Sequence, residues 1–293
     1  MTEAAYVIAK AKPDFRPRVG IILGSGLGPM AQDVTDATVI EYRDLPGFPR
    51  PSVEGHAGKL SLGRIGSTPV AVLQGRSHFY EHGRSDAMKV PVRTLQAIGC
   101  DALLLTNAAG SLDPAIGPGS IMMLSDHINL VQSSPLYDET GNGRFVDMVG
   151  AYDAGLRKAA QKAAAATGLK LPEGVYVWFS GPQFETPAEV KFARIIGGTA
   201  AGMSTVPEVI LGRQLGLKVA AFSIITNLGA GMSDVAMSHE HTMKIADAAG
   251  VKTYVIFHHD PSHNDEFMDK VAENAAAARP GTLVAREGMT LTP

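Results

Sequence analysis

Five short apolar runs, most of them rich in β-branched residues, recur along the chain, and each ends in polar or glycine-rich sequence. They lie at residues 19–23, 69–74, 101–106, 175–179 and 218–226. Runs of this kind predict strands that are covered on both faces. Longer patterns typical of helices lie at residues 84–98, 152–166, 187–196 and 206–216. Helix ends favour left-handed backbone, and the glycines placed for it are Gly99, Gly168, Gly197 and Gly216.

The alternation of strands and helices predicts an α/β sandwich around a largely parallel or mixed central sheet. There is no internal repeat and no linker rich in proline, glycine or serine, so we expect a single domain over residues 1–293. Residues 141–144 are expected to form an exposed loop. The segment 258–293 is polar, then alanine-rich, then broken by proline, which predicts an atypical tail with one weak helix.

Composition narrows the classes of partner. The net charge is −3, which argues against nucleic acid as a partner but permits a small anionic ligand. Cys100 is the single cysteine, so no internal disulfide forms and a reducing compartment is favoured. The sequence begins MTEAAYVIAKAK, without the pattern of a secretory signal, and has no apolar run of about 18 residues. We therefore expect a cytoplasmic protein that does not enter a membrane.

In such sheets ligands collect at the carboxyl ends of the strands, where this sequence places its unusual residues. The first strand is followed by GSGLG, which contains Ser25. Pro29 stands where the dinucleotide fingerprint requires glycine, and the P-loop lysine is missing. What remains is a loop that offers backbone N–H groups and one hydroxyl to an anion, or a plain turn between a strand and a helix.

Three further strand ends offer groups suited to an anion. Arg76 and His78 can hold an oxyanion, the arginine by a two-pronged contact, and Tyr80 adds a flat face, although a surface loop with a satisfied histidine is the alternative. The small residues around Ala108 let a ligand approach the backbone N–H, or form a tight turn. Ser204 is suited to cap the helix that follows it, and a capping hydroxyl beside free N–H groups is also an anion site.

A second set of residues is suited to a planar ring. Phe184 could stack on such a ring, and Glu185 could accept its N–H donors. Glu185 could equally complement the dipole of the helix that begins near Pro187. Asn227, at the end of the last predicted strand, must find hydrogen-bond partners and could serve a ligand or tie down a loop.

The histidines do not predict a metal site. His239 and His241 are two positions apart, so on a helix they point in different directions. His258, His259 and His263 lie in the polar tail, where a solvated segment is the better interpretation. Cysteine pairs that would support zinc are missing from the sequence. No metal is expected.

Eight blocks in order carry a family resemblance: GIILGSGLG, VEGHAG, QGRSHFYE, LTNAAGSL, SDHINL, GPQFETPAE, GMSTVPEVI and ITNLGAGM. The chain resembles the trimeric class of purine nucleoside phosphorylases from about residue 19 to about residue 246. The resemblance implies a three-layer α/β sandwich with a mixed, partly parallel sheet, and a homotrimer whose sites lie at subunit interfaces. It implies phosphorolysis of purine (deoxy)nucleosides to the base and (deoxy)ribose 1-phosphate, without metal or organic cofactor.

The resemblance also implies roles for individual residues. Those matching phosphate-binding positions are Ser25, Arg76, His78, the backbone of Ala108 and Ser204, with His56 nearby. Those matching nucleoside-binding positions are Tyr80, Met203, Phe184, Glu185, Asn227, His239 and Phe145, the last lent to a neighbouring subunit. His78, Glu185 and Asn227 would act in catalysis.

Specificity follows from the same positions. Glu185 and Asn227 imply a preference for 6-oxopurines, inosine and guanosine. Thr199 and Ala201 stand where the family usually carries an aspartate and a valine, and the smaller Ala201 implies a looser base pocket. A 5′-methylthioadenosine phosphorylase of the same fold is the nearest alternative, although such enzymes usually have acidic residues where this chain has Asn227. A purine nucleoside binding protein without turnover is a more remote one, against which Arg76, His78 and Ser204 argue.

Overall fold

The computed structural model describes residues 2–25, 27–50, 52, 56–232, 254–256 and 282–284. The chain divides into two compact units, residues 1–233 and residues 234–293. In the second unit, strands β10 (Tyr254–Ile256) and β11 (Thr282–Val284) pair in parallel. The helix predicted in the tail lies outside the described residues, and the single domain over residues 1–293 stays a prediction.

The first unit contains one nine-stranded mixed sheet. Its strands are β1 (Val19–Ile22), β2 (Thr35–Glu41), β3 (Lys59–Ile65), β4 (Thr68–Gln74), β5 (Ala102–Ser111), β6 (Ile121–Asn129), β7 (Glu173–Trp178), β8 (Ala200–Gly202) and β9 (Lys218–Leu228). The spatial order is β2-β3-β4-β1-β5-β8-β7-β6-β9, and β9 also pairs with β5. The strands from β5 to β9 therefore close into a ring.

Strand directions place several strand ends at one edge. β4, β1, β5 and β9 run parallel to one another in that order of pairing. β2, β3 and β4 form an antiparallel meander on one side. β6 is antiparallel to β9 and parallel to β7. The carboxyl ends of the four parallel strands consequently lie at the same edge, where the sequence places its candidate site.

Six helices accompany the sheet in the part of the chain that is described. They are α1 (Glu3–Ala11), α2 (Phe79–His82), α3 (Lys89–Ala97), α4 (Ala154–Ala166), α5 (Pro187–Ile195) and α6 (Val206–Gln214). Thr186 caps α5, because its hydroxyl accepts from the backbone N–H of Glu189 at 3.2 Å, and Pro187 occupies the first helical position. Helices α4 and α6 pack against β9, and α3 packs against α6. None of the helices in the described ranges is long and apolar enough to cross a membrane.

The α/β class with a mixed central sheet is confirmed, as are the five predicted strands and four predicted helices. Gly99, Gly168, Gly197 and Gly216 all adopt positive φ, at 116°, 70°, 97° and 73°. The loop at residues 141–144 is exposed and contains a short 3-10 turn.

Two element boundaries differ from the prediction by more than two residues. The helix expected from residue 84 begins at Lys89, and the side chain of Arg84 instead bonds to Asp86 at 2.9 and 2.8 Å in the turn before it. The strand expected to end at residue 106 continues to Ser111 as β5, so the tight turn considered around Ala108 is wrong. The extension exists because β9 pairs along the whole of β5 and β8 pairs with its last two residues.

Candidate active site

The loop after β1 begins in close contact with β5. A Cβ atom on Gly24 would lie 2.7 Å from the carbonyl oxygen of Thr106 and 2.8 Å from Cα of Asn107. The backbone N–H of Gly24 donates to the hydroxyl of Thr106 at 3.0 Å. This contact fixes where the chain leaves the sheet, and it places the exposed Ser25 at the edge where the parallel strands end.

His56 joins Ser25 to the end of β4. Its Nε2 lies 3.0 Å from Oγ of Ser25, and its Nδ1 lies 2.9 Å from the backbone nitrogen and 2.8 Å from the carbonyl oxygen of Arg76. Gly75 permits this packing, since a Cβ there would approach Cβ of His56 to 2.7 Å. Burial lowers the pKa of His56, and the charge of Arg76 adds to that effect. The ring is therefore neutral near pH 7.

Arg76 is buried, with 1% of the residue exposed. One terminal nitrogen donates to the hydroxyl of Thr205 at 3.0 Å and lies 3.3 Å from the carboxylate of Glu208. The other donates to the carbonyl oxygens of Ile22 and Thr106. Its Nε lacks a hydrogen-bond partner among the described residues. A two-pronged contact with an oxyanion would therefore break bonds to the protein, whereas Nε–H is a free donor.

His78 stands immediately before helix α2 and is held by Glu81. The carboxylate of Glu81 accepts from the backbone N–H of His78 at 2.6 Å and lies 3.2 Å from its Nδ1. Burial and the charge of Arg76 lower the pKa of His78, and Glu81 raises it. The first two effects are larger, so the pKa falls to about 4. In the neutral ring Nδ1 carries the proton toward the carboxylate, because a carboxylate only accepts. Nε2 then remains as an acceptor.

Glu81 is itself fixed by several donors. Burial opposes its ionisation, but hydrogen bonds from Ser52 and His78 outweigh burial and lower the pKa of Glu81 to about 2. The hydroxyl of Ser52 donates to it at 2.6 Å and the backbone N–H of Ser52 at 2.9 Å. The carboxylate therefore stays ionised near neutral pH and holds the imidazole of His78 in one orientation.

His56, His78, Tyr80 and Met203 form one continuous surface, which we call the wall of the site. The imidazoles of His56 and His78 have centroids 5.2 Å apart, and His78 stacks on Tyr80 with centroids 4.8 Å apart. Gly181, at φ 64°, packs between Tyr80 and Met203, since a Cβ there would approach Cδ1 of Tyr80 to 2.9 Å and Sδ of Met203 to 2.5 Å. The structure thus brings together four predicted site residues from distant parts of the sequence.

Ser204 follows Met203 and is buried. Its backbone N–H donates to the hydroxyl of Tyr176 at 3.2 Å, and its Oγ lies 3.0 Å from Oγ1 of Thr205. The prediction that Ser204 caps α6 is wrong. Thr205 occupies the N-cap position with φ 76°, and its own side chain makes no capping hydrogen bond. A positive φ at Thr205 turns the chain so that Ser204 lies one residue too early to cap it.

Ala108 pairs with Ile224 of β9 on one side of β5, and on the other side it lies between the residues that pair with β1 and those that pair with β8. β1 pairs with β5 as far as Leu105, and β8 pairs with it from Gly110. Ala108 is exposed in this interval. Its placement agrees with a backbone that an anion could approach, although the predicted donor role of its N–H stays a prediction.

The residues predicted to contact the base come from the segments around α5 and β9. Phe184 is 78% exposed, and burial raises the pKa of Glu185. Gly229, just after β9, packs against α5, because a Cβ on it would approach Cγ1 of Val190 to 3.0 Å. The loop after Asn227 is therefore held against the helix that follows Glu185.

The amide of Asn227 is partly engaged. Its Oδ1 accepts from the hydroxyl of Thr226 at 2.8 Å, and its Nδ2 donates to the carbonyl oxygen of Leu228 at 2.9 Å. A Cβ on Gly110 would lie 3.1 Å from Nδ2, so glycine on β5 leaves room for this amide. Within the described residues, one N–H and one lone pair of Asn227 have no partner and are available to a ligand.

Phe145 and His239 are not connected to this wall by the described contacts. Phe145 is 74% exposed and follows a 3-10 turn, with the guanidinium of Arg144 5.1 Å from its ring centroid. His239 and the other histidines after residue 232 lie outside the described residues.

Thr199 and Ala201 flank the start of β8. The hydroxyl of Thr199 accepts from the backbone N–H of Val175 at 3.1 Å. Ala201 is buried in an apolar cluster with Leu112 and Val190. A looser base pocket stays a prediction.

The sequence analysis assigned no individual role to four supporting residues: Glu81, Asn107, Thr205 and Glu208. Each lies inside a sequence block that had already been singled out or within its neighbouring helix turn. Only the role of Glu81 could have been predicted from the sequence. An acidic side chain at the third position of a helix commonly accepts a hydrogen bond from the backbone N–H of the residue before the helix, which here is His78. The others are defined by contacts across the sheet, which residue spacing does not show.

Comparison with known proteins assigns the family. The sequence model of the phosphorylase superfamily matches residues 18–278. Purine nucleoside phosphorylase 1 of Geobacillus stearothermophilus is 43% identical over 248 residues, covering 84% of this chain and 90% of that protein. A Schistosoma mansoni purine nucleoside phosphorylase in complex with inosine is 36% identical with a TM-score of 0.76, covering 84% of this chain and 89% of that one. A complex of the Schistosoma enzyme with adenosine also gives a TM-score of 0.76, at 36% identity and 85% and 90% coverage. The chain therefore belongs to the purine nucleoside phosphorylases of the phosphorylase superfamily.

Proposed function

We propose that the protein catalyses phosphorolysis of purine (deoxy)nucleosides, preferably inosine and guanosine, to the free base and (deoxy)ribose 1-phosphate. Such a reaction serves purine salvage. The observation that carries the proposal is the continuous run of contacts from Ser25 through His56, His78 and Tyr80 to Gly181, which packs against both Tyr80 and Met203. Polar groups suited to an anion and apolar groups suited to a sugar thus share one wall.

The phosphate end is assigned to one set of donors. Ser25, the backbone of Ala108 and Ser204 donate to phosphate oxygens, and His56 positions the hydroxyl of Ser25. Arg76 contributes its positive charge and Nε–H from within the wall. His78, neutral with an acceptor Nε2, accepts a hydrogen bond from the remaining P–OH of phosphate. Because these donors are already held in place around the anion, they need to move little during the reaction.

The chemistry needs no protein nucleophile. The glycosidic bond breaks with positive charge on the ribosyl group and negative charge on the departing purine. Phosphate bound below C1′ stabilises the first charge and forms the new C1′–O bond, while the base leaves with the electrons of the C–N bond. The departing base takes up one proton, which balances the P–OH proton that the sugar phosphate gives up. Tyr80 and Met203 hold the ribose, and His239 is assigned to its 5′-hydroxyl. Holding the two reactants together supplies the proximity effect.

The base end is assigned to Phe184, Glu185 and Asn227. Phe184 packs on the purine, and Glu185 accepts from N1–H and the 2-amino group. The free N–H of Asn227 donates to N7 as charge accumulates there, with O6 also in reach. Adenosine lacks N1–H and would leave Glu185 unpaired, at a cost of about 1–3 kcal/mol or more for a charged group. The Schistosoma complex with adenosine makes this preference the part of the proposal most worth measuring.

Assembly, location and cofactor use complete the proposal. Phe145 is exposed and makes no described contact with the site residues, which suits an aromatic residue that completes the site of a neighbouring subunit in a homotrimer. A cytoplasmic location accords with Cys100 as the single cysteine. Inorganic phosphate is the co-substrate, and neither metal nor organic cofactor takes part.

A substrate panel tests the proposal. Release of free base is measured from inosine, guanosine, adenosine and 5′-methylthioadenosine, each with and without inorganic phosphate. We expect phosphate-dependent release, fastest with inosine and guanosine. Preference for 5′-methylthioadenosine would identify the related phosphorylase instead, and release without phosphate would indicate hydrolysis. Binding of inosine without turnover would identify a binding protein.

A further inference from the structure

Thr205 adopts a strained backbone conformation between β8 and α6. Its φ is 76° and its ψ is −50°, and the backbone N–H of Val206 donates to the carbonyl oxygen of Ser204 at 2.8 Å. These features define a γ-turn of the rarer, positive-φ form, which is unfavourable for a β-branched residue. Conformations of this kind persist where surrounding contacts impose them, often at functional sites.

Three polar groups surround the hydroxyl of Thr205, which is fully buried. A terminal nitrogen of Arg76 donates to it at 3.0 Å, and Nδ2 of Asn107 donates at 2.9 Å. The amide of Asn107 is oriented in turn by Ser223, whose hydroxyl donates to its Oδ1 at 2.8 Å. The third group is Oγ of Ser204, at 3.0 Å.

Counting donors and lone pairs fixes the direction of these bonds. A hydroxyl has one proton and two lone pairs. Arg76 and Asn107 fill both lone pairs of Thr205, so the proton of Thr205 points to Ser204. Oγ of Ser204 therefore accepts, and its own proton is left for another group, since Thr205 is its one hydrogen-bond partner within the described ranges. The positive charge of Arg76 strengthens both hydrogen bonds in the series from Arg76 to Thr205 and from Thr205 to Ser204.

We infer that Thr205 is a positioning residue, which fixes the Ser204 hydroxyl as a hydrogen-bond donor to phosphate. The inference rests on the proposed function, because it concerns the site assigned to phosphate. Thr205 touches neither substrate. It acts by donating to one lone pair of Ser204, so that the serine proton is directed away from Thr205 and toward the anion.

Kinetics of Thr205→Val test the inference, because valine keeps the branched shape but has no hydroxyl. The KM for phosphate and the KM for inosine are measured separately. We expect the KM for phosphate to rise about tenfold, which is the size of one oriented hydrogen bond, and the KM for inosine to stay within about threefold. Thr205→Ser, which keeps the hydroxyl, should restore the KM for phosphate to within about threefold of the wild-type value.

A double-mutant cycle with Ser204→Ala separates positioning from packing. If Thr205 acts through Ser204, adding Thr205→Val to Ser204→Ala raises the KM for phosphate no further. Multiplying effects in the double variant, an unchanged KM for phosphate, or an equal rise in both KM values would overturn the inference. Thr205→Ala supplies the same comparison where the valine variant does not fold. Phosphate-dependent base release by the wild type tests the proposed function independently, so the two failures are distinguishable.

Discussion

The imidazole of His78 stacks on the phenol ring of Tyr80, with centroids 4.8 Å apart and planes inclined by 14°. The two residues flank Phe79 at the start of α2, and Glu81 holds the imidazole from the next position. One short helix therefore carries a group assigned to phosphate and a group assigned to ribose, in fixed contact. A displacement of either ring would move both halves of the site.

Burial of His78 makes the stability of the folded protein depend on pH. The pKa of His78 is lowered from 6.5 to about 4, so between these values the unfolded chain binds a proton that the folded protein does not. The stability contributed by neutral His78 is complete above pH 6.5 and is lost as the pH falls toward 4. NMR titration of the imidazole in phosphate-free buffer should give a midpoint near 4, and urea unfolding should show lower stability at pH 5 than at pH 7.

Added phosphate provides the control for that titration. A bound anion next to the ring favours imidazolium, so the midpoint of His78 should rise. His78→Gln should flatten the loss of stability between pH 7 and pH 5. A midpoint near 6.5 without phosphate would contradict the burial of the His78 imidazole.

Gly181 should be required by the space it leaves. Alanine at this position would place Cβ 2.5 Å from Sδ of Met203 and 2.9 Å from Cδ1 of Tyr80. We expect Gly181→Ala to lower kcat/KM at least about tenfold, because displacements of about 1 Å in a positioned site cost up to about 100-fold. Steady-state assays with inosine measure this effect.

Gly168→Ala is the matched control. Gly168 has φ 70°, close to the 64° of Gly181, but a Cβ there meets nothing within 4 Å. Both variants carry the strain of alanine at positive φ, and Gly181→Ala alone adds the collision. Equal kcat/KM values for the two variants would show that the close packing of Gly181 against Tyr80 and Met203 does not contribute to activity.

The sequence predicted the part of the fold that is covered on both faces. β1, β4, β5, β7 and β9 are continuous apolar runs, which have no competing interpretation as exposed elements. β2 was missed because its residues are exposed or half-buried, so it lacks both a continuous run and a clear alternation. β8 is three residues long, and no periodicity is visible at that length.

The candidate site was predictable only in outline, for the same physical reason. Strand ends that share an edge follow from topology, so the grouping of Ser25 with His78 could be expected. The partners of Arg76 could not, because Thr205 and Glu208 reach it from another element across the sheet. The capping rule also failed at Ser204, since residue preferences do not predict a positive φ at a threonine.

Glu208 should be required for stability through its buried ion pair with Arg76. The carboxylate lies 3.3 Å from the guanidinium, with side chains 3% and 1% exposed. Glu208→Gln leaves the arginine charge uncompensated in the interior, which should cost about 3–5 kcal/mol of unfolding free energy. Urea unfolding at pH 7 measures the change.

The exposed pair between Arg18 and Asp101 offers the comparison. Its atoms lie 2.9 Å apart, but the side chains are 70% and 59% exposed. Asp101→Asn should cost no more than about 1 kcal/mol, because water screens such a pair. Similar costs for the two variants would contradict the buried character of the Arg76–Glu208 pair.

Glu185 should be required for turnover and dispensable for folding. It lies between the exposed Phe184 and the cap of α5, and the capping box of that helix uses Thr186 and Glu189 instead. Glu185→Ala removes the acceptor assigned to N1–H, so kcat/KM for inosine should fall about 100-fold or more, by analogy with the loss of one positioned transition-state group. The midpoint of thermal unfolding should change little, because the helix keeps its cap. Lys170→Ala, at an exposed position between α4 and β7, controls for nonspecific effects of substitution. If the two variants lose activity equally, or if Glu185→Ala reduces turnover of adenosine as much as that of inosine, Glu185 does not read the 6-oxopurine edge.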